Sequence, residues 1–217
     1  MNPLRLLAIS LPLLLGGCGE KESPKRELEV RDELIYIKGS DALYTGEVSL
    51  FYKNGQKEQV TNYKNGKSDG FSISWHENGM EKVEGSFKEG KRDGLWVSWY
   101  KNGQKEQEGN WKDGKEDGLF VDFYKNGQKR AERNYKEGKK DGPWLIWHKN
   151  EQKQMEGNYK KDKRDGLWVI WHENGQEQLE TNWKDGKLVK GSAKQWNSKG
   201  EPVDTFEEAK AEQTLNP

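Results

Sequence analysis

The chain has 217 residues, of which 31% are hydrophobic and 34% charged, and 37 basic residues balance 37 acidic ones. This apolar content excludes a deep globular core, and a zero net charge with alternating signs argues against the basic stripe of a nucleic-acid binder. It permits shallow burial dominated by aromatics, each of which hides roughly 150–250 Å².

Met1 to Gly17 reads as a secretory signal peptide. Arg5 supplies the positive start and Leu6 to Leu15 the apolar run, too short for the roughly 20 residues of a membrane-spanning helix. The segment ends in Leu15-Gly16-Gly17-Cys18, which resembles a bacterial lipobox. That resemblance implies cleavage before Cys18, the only cysteine of the chain, and its modification with acyl chains such as palmitate. Two or more such chains anchor a protein stably to a membrane. Gly19 stands where an Asp signals inner-membrane retention in many such lipoproteins, which favours the outer membrane of a Gram-negative envelope. Residues 18–32 follow as a lipidated start and a charged, Pro24-containing flexible tether.

Leu34-Ile35-Tyr36-Ile37 is predicted to be a strand that covers the first edge of a sheet. From there to residue 200 the chain is periodic. Gly46, Gly70, Gly94, Gly118, Gly142 and Gly166 stand twenty-four residues apart, and a partial copy begins at Gly191. Such a period is the mark of a repeat architecture. In the copy that starts at Gly94, Leu95 to Tyr100 forms a branched and aromatic strand, and Asn102-Gly103 a turn. Asn-Gly suits a tight hairpin because both residues tolerate positive φ. Gln104 to Trp111 returns, and Asp113-Gly114 turns again. A lone hairpin of this size is marginal and gains stability from its neighbours. The expected fold is therefore all-β, an elongated single sheet of 24-residue hairpins. Two turn positions in the fifth copy depart from the pattern, with Glu151 in place of glycine and Lys161-Asp162 in place of an Asp-Gly type pair. In residues 201–217, Thr205-Phe206-Glu207-Glu208 matches a capping box, which predicts a short helix over 206–213 closing the far end.

Adjacent strand residues point to opposite faces, so the aromatics fall into columns. Trp75, Trp99, Phe123, Trp147 and Trp171 share a face with Ile73, Val97, Val121, Leu145 and Val169. This doubly apolar face is predicted to be the better buried one, with Trp111 and Trp183 of the return strands as further structural aromatics. The opposite face carries Trp96, Phe120, Trp144 and Trp168 among Ser74, Ser98 and Asp122. With Tyr100 and Tyr124 these are the candidate partner-binding residues, because aromatics in polar surroundings anchor interfaces. His76, His148 and His172 stand in the tyrosine column and read as tyrosine substitutes. His148 and His172 are two strand spacings apart, roughly 9.5 Å, too far to share a metal whose bonds are about 2 Å. No nucleophile–base arrangement or phosphate loop is present, so neither enzymatic activity nor a cofactor or metal is expected.

Asp93-Gly94-Leu95-Trp96, Trp99-Tyr100-Lys101-Asn102-Gly103 and Trp111-Lys112-Asp113-Gly114-Lys115 resemble the MORN repeat (membrane occupation and recognition nexus), most closely its bacterial variant. The resemblance covers about Tyr44 to Gly200. It implies sheets of hairpins without catalytic machinery that contact proteins or acidic phospholipids. Many bacterial members are lipoproteins, and some are assigned as antitoxins of toxin–antitoxin pairs. The expected function is a lipid-anchored, monomeric module that binds an envelope protein. Binding of phospholipid head groups or envelope glycans, and neutralisation of a toxin, are the alternatives; nucleic acid is not an expected partner.

Overall fold

The structure is a computed structural model that describes residues 27–203. The signal peptide, Cys18, the start of the tether and the predicted helix at 206–213 lie outside the described residues. Every regular element among the described residues is a β-strand, and neighbouring strands pair antiparallel. The chain divides into two compact units, Met1–Gly103 with Trp111–Gly114, and Gln104–Asn110 with Lys115–Pro217.

The first unit contains β1 (Leu28–Arg31), β2 (Leu34–Ile37), β3 (Gly46–Phe51), β4 (Lys57–Lys64), β5 (Lys67–Trp75), β6 (Glu81–Lys88), β7 (Lys91–Arg92) and β8 (Gly94–Trp99). After β9 (Lys105–Lys112), which is divided between the units, the second contains β10 (Lys115–Phe123), β11 (Lys129–Lys136), β12 (Lys139–Trp147) and β13 (Lys153–Lys160). It ends with β14 (Lys163–Arg164), β15 (Gly166–Trp171), β16 (Glu177–Lys184), β17 (Lys187–Leu188) and β18 (Lys194–Gln195). From β3 to β6, and from β10 to β13, each strand pairs with its sequence neighbour.

The tether is shorter than its charge suggests. Leu28–Arg31, read from the sequence as flexible, pairs in register with Leu34–Ile37. Leu28 is buried beside Ile35, Tyr44 and Val48, whereas Val30, two residues on, is 55% exposed. The β1–β2 pair forms its own two-stranded sheet. It meets the repeats through side chains and through the β4–β5 turn, where the Ile35 N–H donates to the Gly66 carbonyl at 3.0 Å.

The two turns of each repeat have opposite chemistry to the expected one. In the turn after the leading strand only the glycine has positive φ, as at Gly55 (85°) and Gly127 (86°), and the preceding asparagine does not. The Gly55 N–H donates to the Tyr52 carbonyl at 3.0 Å and the Tyr52 N–H to the Gln56 carbonyl at 2.9 Å. This is a three-residue loop whose glycine makes a bulge, and the register shifts there, between Leu50 and Phe51. The asparagine serves through its side chain: Asn54 Oδ1 accepts the Gln56 N–H at 3.0 Å. The two-residue turn with both φ positive is the second one, as at Glu89 (49°) with Gly90 (81°) and Glu137 (52°) with Gly138 (81°). In the fifth copy Lys161 (50°) and Asp162 (67°) adopt it without glycine, and Glu151 takes the first-turn glycine position at 67°.

The aspartate before the leading glycine closes this second turn. Asp69 Oδ2 accepts the Glu89 N–H at 3.1 Å, and Asp117 Oδ2 that of Glu137 at 3.1 Å. The first copy has no such aspartate, and there Thr45 Oγ1 accepts the Asn65 N–H at 3.0 Å. A second link couples consecutive copies. The hydroxyls of Tyr52 and Tyr124 donate to the carbonyls of Trp75 and Trp147, both at 2.6 Å. His76, His148 and His172 place Nε2 at the carbonyls of Trp99 (2.9 Å), Trp171 (3.0 Å) and Trp196 (3.1 Å). A carbonyl only accepts, so Nε2 carries the proton, and histidine here does the work of the tyrosine hydroxyl. In the three histidine copies the asparagine amide also reaches the next copy, from Asn78 to Lys101 O (2.8 Å), Asn150 to Glu173 O (2.6 Å) and Asn174 to Ser198 O (2.7 Å).

Candidate functional site

Counting from each leading glycine, the second and fourth strand residues lie on one side of the sheet and the first, third and fifth on the other. The even side is the interior. Trp96 is 8% exposed and Phe120 and Trp168 are 1% exposed, and Trp144 is half-buried. Each of the three buried rings lies on a return-strand glycine. A Cβ placed on Gly85, Gly109 or Gly157 would stand 2.3, 2.2 or 2.1 Å from the ring of Trp96, Phe120 or Trp168. Glycine inside a strand marks this close approach. In the second unit the rings continue edge to face, Phe120–Tyr135 (5.2 Å), Tyr135–Trp144 (6.0 Å), Trp144–Tyr159 (5.0 Å) and Tyr159–Trp168 (5.0 Å), the geometry that ring quadrupoles favour. In the first unit Phe87 meets Trp96 in the same way at 4.9 Å.

This placement corrects the assignment of partner-binding residues. Trp96, Phe120, Trp144 and Trp168 are the packed interior, and the indole N–H groups of Trp96 and Trp168 donate to Ser86 O (3.1 Å) and Asn158 O (3.2 Å). Tyr124 is committed to the link between copies, and Tyr100 occupies the equivalent position, half-buried. Trp183, on the same side, is 5% exposed and bonds Thr181 Oγ1 at 2.9 Å, whereas Trp111 is half-buried under the Arg92 guanidinium.

The odd side, predicted to be the buried one, is the accessible one. Its middle column is covered, with Val97, Val121 and Val169 6–8% exposed. Its outer columns are open. Trp75, Trp99, Phe123, Trp147 and Trp171 are half-buried, and the first-position residues are among the most exposed apolar groups: Phe71 (45%) and Leu95 (53%) in the first unit, Leu119 (44%) and Leu167 (54%) in the second. Lysines lie over the rings, with Nζ of Lys129 at 5.5 Å from the Trp147 centroid and that of Lys153 at 5.8 Å from that of Trp171. The same lysines pair with Glu132 and Glu156. The surface therefore combines open leucines and indoles with a neutralised charge ladder, suited to non-covalent contact with another apolar surface.

Two polar features were not foreseen. Asp122, 2% exposed, is held by Arg133, by Arg130 at 3.4 Å and by Gln107 Nε2 at 2.8 Å. Arg133 occupies the column of Gly85, Gly109 and Gly157, so the break in that column was the available signal. Nearby, burial raises the carboxyl pKa of Glu116 above its ordinary value, against the opposing pull of Arg133 and Lys140, and burial likewise raises the Tyr135 phenol. Among the described residues no three His, Cys, Asp or Glu side chains gather as a metal-ligating group.

The chain matches the MORN repeat variant family over residues 44–65, 92–113, 116–137, 140–161 and 164–185. No curated protein matches it at a significant level. The unmatched copy beginning at Gly70 keeps the hairpin, with β5 and β6 paired, and the tyrosine-column link through His76. Repeats of this family commonly serve as protein- or membrane-interaction modules. The matched segments make up half of the sequence and coincide with the paired hairpins, so the chain belongs to the MORN repeat variant family.

Proposed function

We propose that this chain is a non-catalytic module for protein–protein contact, held at a bacterial cell envelope by acyl chains on Cys18. The observation that carries the contact reading is the open odd side of each unit, where Leu119 and Leu167 are 44% and 54% exposed beside half-buried Phe123 and Trp171. Interface anchors combine exposed apolar area with aromatic rings and a polar rim. The anchoring part rests on the sequence Leu15-Gly16-Gly17-Cys18 and its apolar approach, and Gly19 favours the outer membrane.

The test places a photoreactive amino acid at Leu167 or at Leu119 in living cells. A discrete protein adduct from these positions, lost when Trp171→Ala is added, is the expected result. Adducts with lipid or glycan alone would replace the reading with membrane or cell-wall binding. An adduct with a protein encoded beside this gene and toxic without it would favour the antitoxin role. Retention of the protein in the membrane fraction after Cys18→Ser would overturn the anchoring.

A further inference from the structure

On the second unit, a cleft of about 670 Å³ opens at the two-residue turns, lined by Lys140, Lys163, Arg164 and Lys187 together with Tyr159 and Trp183. We infer that this cleft receives a carboxylate side chain from an acidic segment of a protein partner. The inference rests on the protein-contact reading and assigns it a second, electrostatic point of attachment on the even side.

Four cations face two carboxylates there, Asp162 and Asp185, so the cleft is net positive. One of those carboxylates is already committed, since Asp162 Oδ1 accepts the Lys140 backbone N–H at 2.8 Å. Three lysines on the odd side of the unit are paired: Lys105, Lys129 and Lys153 with Glu108, Glu132 and Glu156. Lys140, Lys163 and Lys187 make no such ion pair among the described residues. Two of the cations are also held in place by aromatic faces. Lys140 Nζ lies 4.7 Å from the Trp144 centroid and 5.0 Å from that of Tyr159, and the Arg164 guanidinium lies 4.9 Å from both Trp168 and Trp183. A cation stacked in this way loses little further freedom when an anion arrives. The aspartates decide the class of partner. A flat anionic bilayer would press its continuous negative potential against both, whereas a peptide delivers single carboxylates between them.

The position was accessible from the sequence through its column. Residues 68, 92, 116, 140, 164 and 188 read Ser, Arg, Glu, Lys, Arg and Leu. Only at the close of the fourth and fifth copies do two cations of this column follow one another, Lys140 and Arg164, and between them Asp162 replaces the turn glycine.

The test is fluorescence anisotropy of a labelled hexaglutamate peptide with the intact protein extracted in a neutral detergent. Binding is expected, weakening steeply with salt. The variant Lys140→Gln/Lys163→Gln/Lys187→Gln is expected to bind at least tenfold more weakly, and Lys105→Gln/Lys129→Gln/Lys153→Gln, equal in charge, to bind as the parent does. Should the cleft variant fold poorly, Lys187→Glu alone, at an exposed turn, is expected to weaken binding at least threefold. Absence of binding, or an equal loss in both triple variants, would overturn the inference. Displacement of the peptide by vesicles of phosphatidylglycerol and phosphatidylcholine, and not by neutral vesicles, would assign the cleft to a membrane instead. Failure here with the Leu167 adduct intact would refute the cleft alone, whereas loss of that adduct with hexaglutamate still bound would refute the odd-side contact alone.

Discussion

Gly157→Ala adds one methyl group at a site where the backbone would accept it, because Gly157 lies outside the left-handed region. The added Cβ would stand 2.1 Å from Trp168 Cδ2 and 2.3 Å from Cε2, where carbon atoms rest at about 3.5–4.0 Å. Trp168 has nowhere to go: Tyr159 meets it edge-on at 5.0 Å, Arg164 covers it at 4.9 Å, and its N–H is bonded to Asn158 O at 3.2 Å. Overpacking of this kind costs about 1–3 kcal/mol, and an off-rotamer ring adds about 1 kcal/mol. Alanine recovers up to about 1 kcal/mol of the entropy that glycine loses in a strand. The net expectation is a destabilisation of about 2 kcal/mol. With a urea slope of about 2 kcal/mol/M, the fluorescence midpoint falls by about 1 M. Trp168→Leu removes the obstruction, so the double variant should be less destabilised than the sum of the singles. An unchanged midpoint for Gly157→Ala, or strict additivity in the double variant, would refute the claim that glycine is there to receive the ring.

Further outcomes follow from the same geometry. Glu151 has a φ of 67°, and its carboxylate accepts no hydrogen bond among the described residues, so Glu151→Gly should stabilise the protein by about 1 kcal/mol in urea unfolding; Asp162→Gly, which also removes the bond to the Lys140 N–H, should gain and lose about 1 kcal/mol and leave the midpoint where it is. Asp122→Ala leaves Arg133 without its buried carboxylate and should cost about 3 kcal/mol, whereas Asp122→Ile with Arg133→Gly, which copies the residues of the following repeat, should be near neutral by thermal denaturation. Glu116 has its folded pKa raised by burial, so its contribution to stability is fully present below the ordinary value of 4.5 and is lost as pH rises through the folded pKa. Glu116→Gln should therefore raise the melting temperature at neutral pH and show no advantage below that value; an equal gain at both would assign the effect to packing.

The period made the hairpins legible, along with the places of their turns and the fact that aromatics form columns. It could not say which side of the sheet is closed, because both sides carry rings at every repeat. The deciding residues were the small ones. Gly85, Gly109 and Gly157 stand in strand interiors, where glycine has no conformational purpose, and they mark the side on which Trp96, Phe120 and Trp168 lie down. Ile73, Val97 and Val121 suggested the other side, where Val97 and Val121 are covered while Leu95 and Leu119 beside them stay open. The turn types were inverted for a related reason. Asn-Gly is compatible with two loop geometries, and the hydrogen bond from Gln56 N–H to Asn54 Oδ1 selects the longer one. The strand at Leu28–Arg31 escaped notice because four alternating residues inside a charged stretch are a short signal. The cleft and the Asp122 pair were readable only as exceptions, at positions 133, 140 and 162, where a column changes its chemistry.

The link from the tyrosine-column side chain to a carbonyl in the following copy has a consequence for how such chains change over evolutionary time. Within each unit one copy supplies a donor to the next, as Tyr52 does toward Trp75, Tyr124 toward Trp147 and His148 toward Trp171. Gain or loss of one whole period therefore leaves every donor matched, whereas an indel of any other length strands a polar group at the seam. Length in this lineage is thus expected to be quantised, with duplication as its natural mutation. The partial copy that begins at Gly191 still provides the acceptors, Trp196 O for His172 and Ser198 O for Asn174.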